Sequence, residues 1–372
     1  MLEYLTMLLK KLLPLLLILG SLTALAKADE QETPVAYYHA SVLMYHHIST
    51  STPPSTSTSP ADFIQHLDML EKDGFEVWPI DRVARQIKRR RPMPDKVAVI
   101  TFDDGYISVY KEALPILKER ELPFTIFVNA DPINEKRPLY MSWAELKEAQ
   151  EAGGIIANHT LSHTHLIRKL DDETEEAWLK RVEHEIAANQ QEIIKHLGSA
   201  PKIFAYPYGE YNPEIQKLVQ KMGYIAFGQH SGAASPYTNI TSLPRYAANG
   251  TSANPTSLRT KLHALPFPVV NEEPVTAVLD GSNRRPSLKL TVMPGEYRIK
   301  QFRCYGPNAE LLQVSRKTLA DGNLEINVTS DKDLHTGRPR YNCTAPHKTQ
   351  NRYFWFTRQW LMPQANGDWY NY

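Results

Sequence analysis

Between residues 40 and 250, short flat apolar runs alternate with longer amphipathic stretches. The apolar runs fall at 42–45, 75–78, 97–102, 124–128, 155–158, 202–206, 224–228 and 243–247. Most lack the polar–apolar alternation of a half-exposed strand, so they predict strands covered on both faces. The stretches between them carry helix-boundary signals. Ser142 and Glu145 make a capping box ahead of a helix that stops at Gly153-Gly154. Asn212-Pro213 opens another, closed by Gly223, and a long helix over about 172–196 stops at Gly198. Residues 107–120 read as a helix that Pro115 bends or interrupts. Strands alternating with helices predict an α/β fold with a parallel sheet. Eight strands suit a barrel. An open doubly wound sheet is the alternative, because periodicity does not decide closure.

Two segments depart from this rhythm. Residues 49–60 are nearly all Ser, Thr and Pro and cannot build a core. They read as a loop between the first strand and a helix beginning near Ala61. Past about residue 265 the character changes, with Pro266, Pro268 and Pro274 punctuating a boundary. Runs at 287–292, 297–302, 311–315, 324–328 and 353–360 follow, with turn signals and no convincing helix. Short strands over roughly 100 residues predict a smaller β-sandwich-like domain. The expected organisation is a barrel domain over 36–265 and a β-rich domain over 270–372.

A targeting signal precedes both. Lys10 and Lys11 lead into the apolar stretch 12–19, and Ala24-Leu25-Ala26 supplies a small-x-small cleavage pattern. The apolar core is shorter than the ~20 residues of a spanning helix. Residues 1–26 therefore read as a signal peptide, with an uncleaved N-terminal anchor as the alternative and sole membrane contact. Either way the remainder is exported, to periplasm, cell envelope or medium. In that setting Cys304 and Cys343, the two cysteines of the chain, suggest one disulfide; two buried thiols are the alternative. The 372 residues carry a formal net charge of +1, so composition points to no nucleic-acid partner. The basic run Lys88-Arg89-Arg90-Arg91 falls at a helix end, where cations suit the dipole and face solvent.

Candidate chemistry collects at the strand ends. His46 and His47 follow the first strand, Asp103 and Asp104 the third, and His159 and His163 the fifth. Tyr206-Pro207-Tyr208-Gly209 follows the sixth and His230 the seventh. Parallel α/β folds build their sites at the C-terminal strand ends, so five segments deliver polar groups to one face. Asp103 and Asp104 are adjacent carboxylates, and buried like charges need a metal, a shared proton or strong hydrogen bonds. Gly105 permits a sharp turn. One Asp can then bind a metal while the other acts as base; a capped Asp-Asp-Gly turn is the plainer alternative. His159 and His163, four apart, meet on one face if the segment is helical. That spacing suits two imidazole ligands on one divalent ion, and Asp104 completes a set that fits zinc among other metals. Spacing alone also admits His165 as a ligand, and a surface loop holding three histidines is the alternative.

Thr-Phe-Asp-Asp-Gly at 101–105, Asn-His-Thr-x-Ser-His at 158–163 and Tyr-Pro-Tyr-Gly at 206–209 resemble, in order and separation, the polysaccharide deacetylases of carbohydrate esterase family 4. The resemblance covers roughly 40–250. It implies the irregular (β/α) barrel of the NodB-homology type. It also implies Asp103 as general base, and Asp104, His159 and His163 as ligands of a divalent metal, zinc foremost. Tyr206, Pro207 and Tyr208 would form the substrate and oxyanion loop, through the Tyr208 backbone N–H. The family's late Leu-x-His is missing, and after residue 209 only Leu262-His263 comes near it. The first strand instead carries Val42-Leu43-Met44-Tyr45-His46-His47. This is similar to the circularly permuted branch that includes poly-N-acetylglucosamine deacetylases, in which the strand of the acid histidine comes first. The resemblance therefore assigns the acid to His46, with His47 structural and His230 a supporting or substrate-side residue; swapped roles for His46 and His47, and His230 as the acid, are the alternatives. Many members carry an arginine two residues before the proline of the third motif, where this chain has Ala205. Arg245, at the end of the eighth strand, is the candidate replacement beside the Asp pair.

The implied chemistry is metal-assisted removal of N-acetyl groups from an amino-sugar polymer. The permuted order favours poly-N-acetylglucosamine; peptidoglycan and chitin oligomers carry the same group, and O-deacetylation is a further alternative. Tyr106, Trp143, Tyr206 and Tyr208 are candidates for stacking on sugar rings or for packing. The reading from another class is a glycan-binding protein without turnover. Trp355, Trp360 and Trp369 invite it, against the simpler assignment of these residues to a sandwich core.

Overall fold

The structure, a computed structural model, describes residues 38–370, so the expected signal peptide over 1–26 lies outside the described residues. The first ten strands are β1 (Ser41–Tyr45), β2 (His47–Ile48), β3 (Ser57–Thr58), β4 (Glu76–Val77), β5 (Val97–Phe102), β6 (Phe124–Val128), β7 (Gly154–Asn158), β8 (Ile203–Ala205), β9 (Ile225–Phe227) and β10 (Tyr246–Ala247). Parallel pairing runs in the order β10-β1-β5-β6-β7-β8-β9. The wall closes through residues 243–247. Leu243 exchanges backbone hydrogen bonds with Ala226 and Gly228 beside β9, and β10, just beyond, pairs with β1. This is an irregular (β/α) barrel, and it settles closure against the open sheet. Of the eight expected strands, only the one at 75–78 stays out of the wall path. As β4, it pairs with Val97 and Ala98, on the edge of β5 that β6 occupies higher up.

Flat apolar sequence follows from burial on both faces, and every residue of β1, β5 and β6 is buried. Val42, Val99, Phe127, Ala157, Ala205 and Phe227 share one core cluster inside the barrel. Their strand neighbours Leu43, Ile100, Ile126 and Ile156 point outward, beneath the helices. The helices are α1 (Pro60–Lys72), α2 (Ile80–Lys88), α3 (Leu114–Glu119), α4 (Ala130–Asn134), α5 (Trp143–Glu151), α6 (Glu175–Leu197), α7 (Pro213–Lys221) and α8 (Pro255–Leu262). In α2, Ile80, Val83, Ala84 and Ile87 join the interior cluster, closing the barrel end opposite the polar strand ends. The expected caps are in place. Ser142 and Glu145 close a full capping box on α5, Gly198 ends α6 in the left-handed region, and the Asn212 side chain accepts the Ile215 N–H at α7. The 107–120 stretch stays helical through Pro115 instead of being interrupted there. A π-helical turn over Val109–Ala113 precedes α3 and accommodates the proline's missing N–H.

The chain continues with β11 (Leu265–Pro266), β12 (Val269–Glu273), β13 (Leu288–Val292), β14 (Arg303–Tyr305), β15 (Gln313–Thr318), β16 (Leu324–Thr329), β17 (Arg340–Pro346) and β18 (Tyr353–Gln359). Two four-stranded sheets, β11-β18-β17-β14 and β12-β13-β16-β15, enclose a separate core. Alternate residues of β13 and β17 are buried, as expected of strands with one face in a sandwich. The expected strand at 297–302 is not one. Tyr297 and Phe302 instead plug the core from a loop with a 3₁₀ turn at Ile299–Gln301. Trp360 is fully buried in this core, and Trp355 packs edge-on against Tyr246, so neither is laid open as a sugar platform. Cys304 and Cys343 face each other between β14 and β17 and are bonded. Replacing both with Ala is expected to lower stability by about 2–4 kcal/mol. Urea unfolding under non-reducing conditions reads this; an unchanged midpoint would show that the bridge adds nothing.

Candidate active site

The permuted strand order brings the site together. Because β1 lies between β10 and β5, with Tyr45 opposite Phe102, His46 emerges beside Asp103. His46 Nε2 lies 3.9 Å from Asp103 Oδ2. Asp104 then turns away, because it takes φ 74° and Gly105 takes φ 73°. Two successive left-handed residues send adjacent carboxylates to different partners.

Asp103 is fully buried and held by Arg245 in a two-pronged ion pair, with Nη1–Oδ1 at 2.6 Å and Nη2–Oδ2 at 2.7 Å. The guanidinium is itself fixed. Nε donates to the Gly228 carbonyl at 2.9 Å, and Nη1 also reaches Thr101 Oγ1 at 3.2 Å. Burial alone would raise the Asp103 carboxyl, but Arg245, His159 and His46 outweigh it and hold it below its ordinary value. Arg245 thus stands where the cation expected from the Ala205 position is needed.

Asp104, His159 and His163 converge, with one donor atom from each inside a 4.8 Å span. Asp104 Oδ1 lies 3.4 Å from His159 Nε2 and 3.2 Å from His163 Nε2. Yet Asp104 Oδ1 and His159 Nε2 are buried without a hydrogen-bond partner. Orphaned polar atoms facing one point fit the ligand set of a divalent cation. His159 Nδ1 sits 2.8 Å from the Ala205 carbonyl, which places its proton there and leaves the Nε2 lone pair facing Asp104. His163 and His159 counter the effect of burial on Asp104 and keep its carboxyl well below the usual range.

The two histidines do not share a helix face. Thr160 and His163 both have positive φ, at 69° and 60°, so the 159–163 segment is a turn rather than a helix. Three buried asparagines, two of them outside the motifs, hold this turn. Asn129 Nδ2 donates to the His159 carbonyl, Asn158 Oδ1 accepts the Thr160 N–H, and Asn189 Nδ2 donates both to Asn158 Oδ1 and to the Val128 carbonyl. Thr160 Oγ1 accepts the His163 N–H. Asn158 precedes His159 in the motif and was readable as part of it; Asn129 and Asn189 carry no local signal.

The remaining candidates separate. His165 is not a ligand: its Nδ1 pairs with Glu210 Oε2 at 2.7 Å and its ring stacks on Tyr208. Tyr206 cannot touch substrate, because it is fully buried with its hydroxyl donating to the Thr241 carbonyl. Pro207 is likewise buried. Tyr208 is left-handed at φ 59°, ψ 2°, and its ring meets His163 edge-on at 4.5 Å. His47 stacks on Tyr106 at 3.6 Å, a packing role. His230 is buried away from the Asp pair, and burial, then Arg340, Arg358 and Arg245, pull its pKa down to about 3. Its carbonyl accepts the Arg245 N–H. Trp143 stacks on His196.

A groove of about 1380 Å³ opens over Asp104, His163 and His46. Tyr106, Tyr140 and Tyr208 line it, and the Ser/Thr/Pro-rich segment 49–59 forms much of one wall. That segment is tied down by β2–β3 pairing and by Thr58 Oγ1 donating to the Ala248 carbonyl. Among the described residues, no helix is long and apolar enough to cross a membrane.

Residues 90–227 match the family model for polysaccharide deacetylases. The putative polysaccharide deacetylase YxkH of Bacillus subtilis is 28% identical over 207 residues, 55% of this chain and 69% of that protein. A Staphylococcus aureus protein named poly-β-1,6-N-acetyl-D-glucosamine N-deacetylase is 25% identical over 163 residues. That alignment takes in 42% of this chain and 56% of the S. aureus protein, so the chain spans little more than half the length of that relative. The structure of IcaB from Ammonifex degensii superposes with a TM-score of 0.54 at 26% identity, covering 61% of this chain and 98% of IcaB. The Streptococcus pyogenes deacetylase PplD, solved with acetate, gives 0.55 at 24% identity over 62% and 99%, a likeness of fold.

Proposed function

From a chain that carries a polysaccharide deacetylase domain over residues 90–227, we propose an exported, metal-dependent N-deacetylase of N-acetylglucosamine polymers, with poly-β-1,6-N-acetylglucosamine as its foremost substrate. One observation carries the reading: the buried Asp103–Arg245 pair stands beside three converging ligand atoms, two of them orphaned, at the floor of an open groove. The name of the S. aureus relative supports the choice of polymer.

Asp104, His159 and His163 would hold a divalent ion, with zinc first in line for two imidazoles and a carboxylate. Such an ion supplies Lewis-acid polarisation of a water and of the acetyl carbonyl. Asp103, kept ionised by Arg245, takes the proton from the attacking water. His46, on the other side of Asp103, gives a proton to the departing amine. Burial lowers the His46 pKa against the pull of Asp103 and Asp104, so the imidazole rests neutral and takes up a proton before it gives one to the amine. The Tyr208 N–H stabilises the tetrahedral oxyanion. The carbonyl carbon gains the water oxygen and loses the nitrogen, so the products are acetate and a free amine on the sugar.

Acetate release from poly-β-1,6-N-acetylglucosamine, chitin oligosaccharides and peptidoglycan, measured side by side, tests the substrate. The highest kcat/KM is expected on the β-1,6-linked polymer. A clear preference for either of the others would reassign the substrate. Export is tested by protease accessibility in intact cells, and protection of the chain would refute it.

A further inference from the structure

The β-sandwich grips the turn that carries Tyr208. Arg338 donates to the Tyr208 carbonyl. Gln359 Nε2 donates to the Gly209 carbonyl at 3.0 Å, and the Tyr370 hydroxyl donates to Glu210 Oε1 at 2.7 Å; both contacts are buried. Glu210 gives its other oxygen to His165 Nδ1 at 2.7 Å. The His165 ring lies on the Tyr208 ring at 3.8 Å with 9° between their planes, and Tyr208 meets His163 edge-on. A continuous set of contacts therefore runs from the sandwich through Glu210, His165 and Tyr208 to His163. Tyr208 is also left-handed, a conformation a non-glycine residue keeps only when its surroundings fix it. Two of the three sandwich contacts fix consecutive carbonyls within that strained turn, those of Tyr208 and Gly209. Arg338 and Arg340 line the same groove as His46 and Asp104, so the sandwich also borders the space where substrate would lie.

We propose that the β-sandwich is a working part of the active site. Gln359 and Tyr370, with Arg338, are positioning residues that hold the 207–210 turn against His163 and aim the Tyr208 backbone into the groove. The effect on turnover rests on the deacetylase reading; the effect on His163 does not. A purely adhesive contact between barrel and sandwich exists for comparison. Arg352 donates to both oxygens of Asp95 at 2.8 Å and to the His263 carbonyl at 2.7 Å, at the N-terminal end of β5, away from Asp103.

The test compares Tyr370→Phe, which removes one hydroxyl, with Arg352→Ala in the full chain. Each is assayed for kcat and KM on poly-β-1,6-N-acetylglucosamine, for Tm, and for the visible spectrum of the cobalt(II)-loaded protein. Tyr370→Phe is expected to lower kcat about tenfold at nearly constant KM. Its Tm should stay within about 2 °C of the parent, and its cobalt bands should shift. Arg352→Ala is expected to lower Tm while keeping kcat and spectrum. Gln359→Met serves in place of Tyr370→Phe should that variant fail to fold. Parental kcat and spectrum in the hydroxyl-deleted protein would overturn the proposal, and so would matching losses of kcat in Tyr370→Phe and Arg352→Ala. If the parent chain releases no acetate, the deacetylase reading fails, and the cobalt spectra alone decide the positioning role.

Discussion

Asp103→Asn is expected to slow acetate release by about 10²–10⁴-fold and, at the same time, to weaken the fold. Both effects have one origin. The Asp103 carboxylate is fully buried and gives both oxygens to Arg245, itself fully buried. The amide cannot take a proton from water, and it leaves the guanidinium charge without a counter-charge. Breaking such a pair costs about 3–5 kcal/mol; the remaining amide oxygen places this case toward the lower end. The pH dependence follows from the same contact. Burial would raise the Asp103 carboxyl, but Arg245 overrides it, so the folded-state value lies below the unfolded one. The stabilisation is therefore complete above the ordinary carboxylate range and is lost as pH falls through the depressed value. Adding Arg245→Met to Asp103→Asn is expected to recover stability in urea unfolding and none of the activity. Arg245→Met alone strands a buried carboxylate, so its loss of turnover would come together with a loss of stability. An Asp103→Asn protein with parental urea midpoint and parental rate would refute both roles.

Asp104→Ala is expected to abolish metal binding and to lower turnover by about 10³-fold or more, as loss of several kcal/mol of Lewis-acid stabilisation requires. The stability effect separates it from Asp103→Asn. Asp104 Oδ1 has no hydrogen-bond partner among the described residues, and its neighbours are the imidazoles it would share an ion with. Without metal, the substitution removes a carboxylate and leaves no buried guanidinium behind. With metal, the parent protein should gain about 2.7 kcal/mol at a free ion concentration of 100 Kd, and the Asp104→Ala protein should gain nothing. Thermal unfolding with and without added zinc, together with bound-zinc stoichiometry, reads both. Full zinc occupancy in the variant would remove Asp104 from the ligand set.

The barrel strands were legible because two-sided burial leaves flat apolar runs, and runs such as 97–102 and 124–128 have no other simple reading. The place of His46 was legible only through the permuted motif, since nothing local says that residue 45 will pair with residue 102. Arg245 could be inferred from a gap, the alanine at 205. The geometry of the histidine pair was not legible. A four-residue spacing suggests a helix, but a buried amide network from Asn129, Asn158 and Asn189 imposes a turn with non-glycine residues at positive φ. His165 was indistinguishable from a ligand by spacing, because its partner Glu210 lies 45 positions away. The sandwich contacts to the 207–210 turn were beyond reach for the same reason, spanning 130 to 160 positions. In the sandwich, β17 escaped notice because polar residues alternate with its buried ones, and β12 because none of its residues is buried.

The most direct test of metal-dependent N-deacetylation at this site is acetate release from poly-β-1,6-N-acetylglucosamine by the purified protein, before chelation, after chelation and after restoring zinc, with Asp103→Asn in parallel. Expected is release by the parent, its loss on chelation, its return with zinc, and little release by the variant under any condition. Release that survives chelation, or that proceeds equally in Asp103→Asn, would contradict the assignment of the reaction to this site.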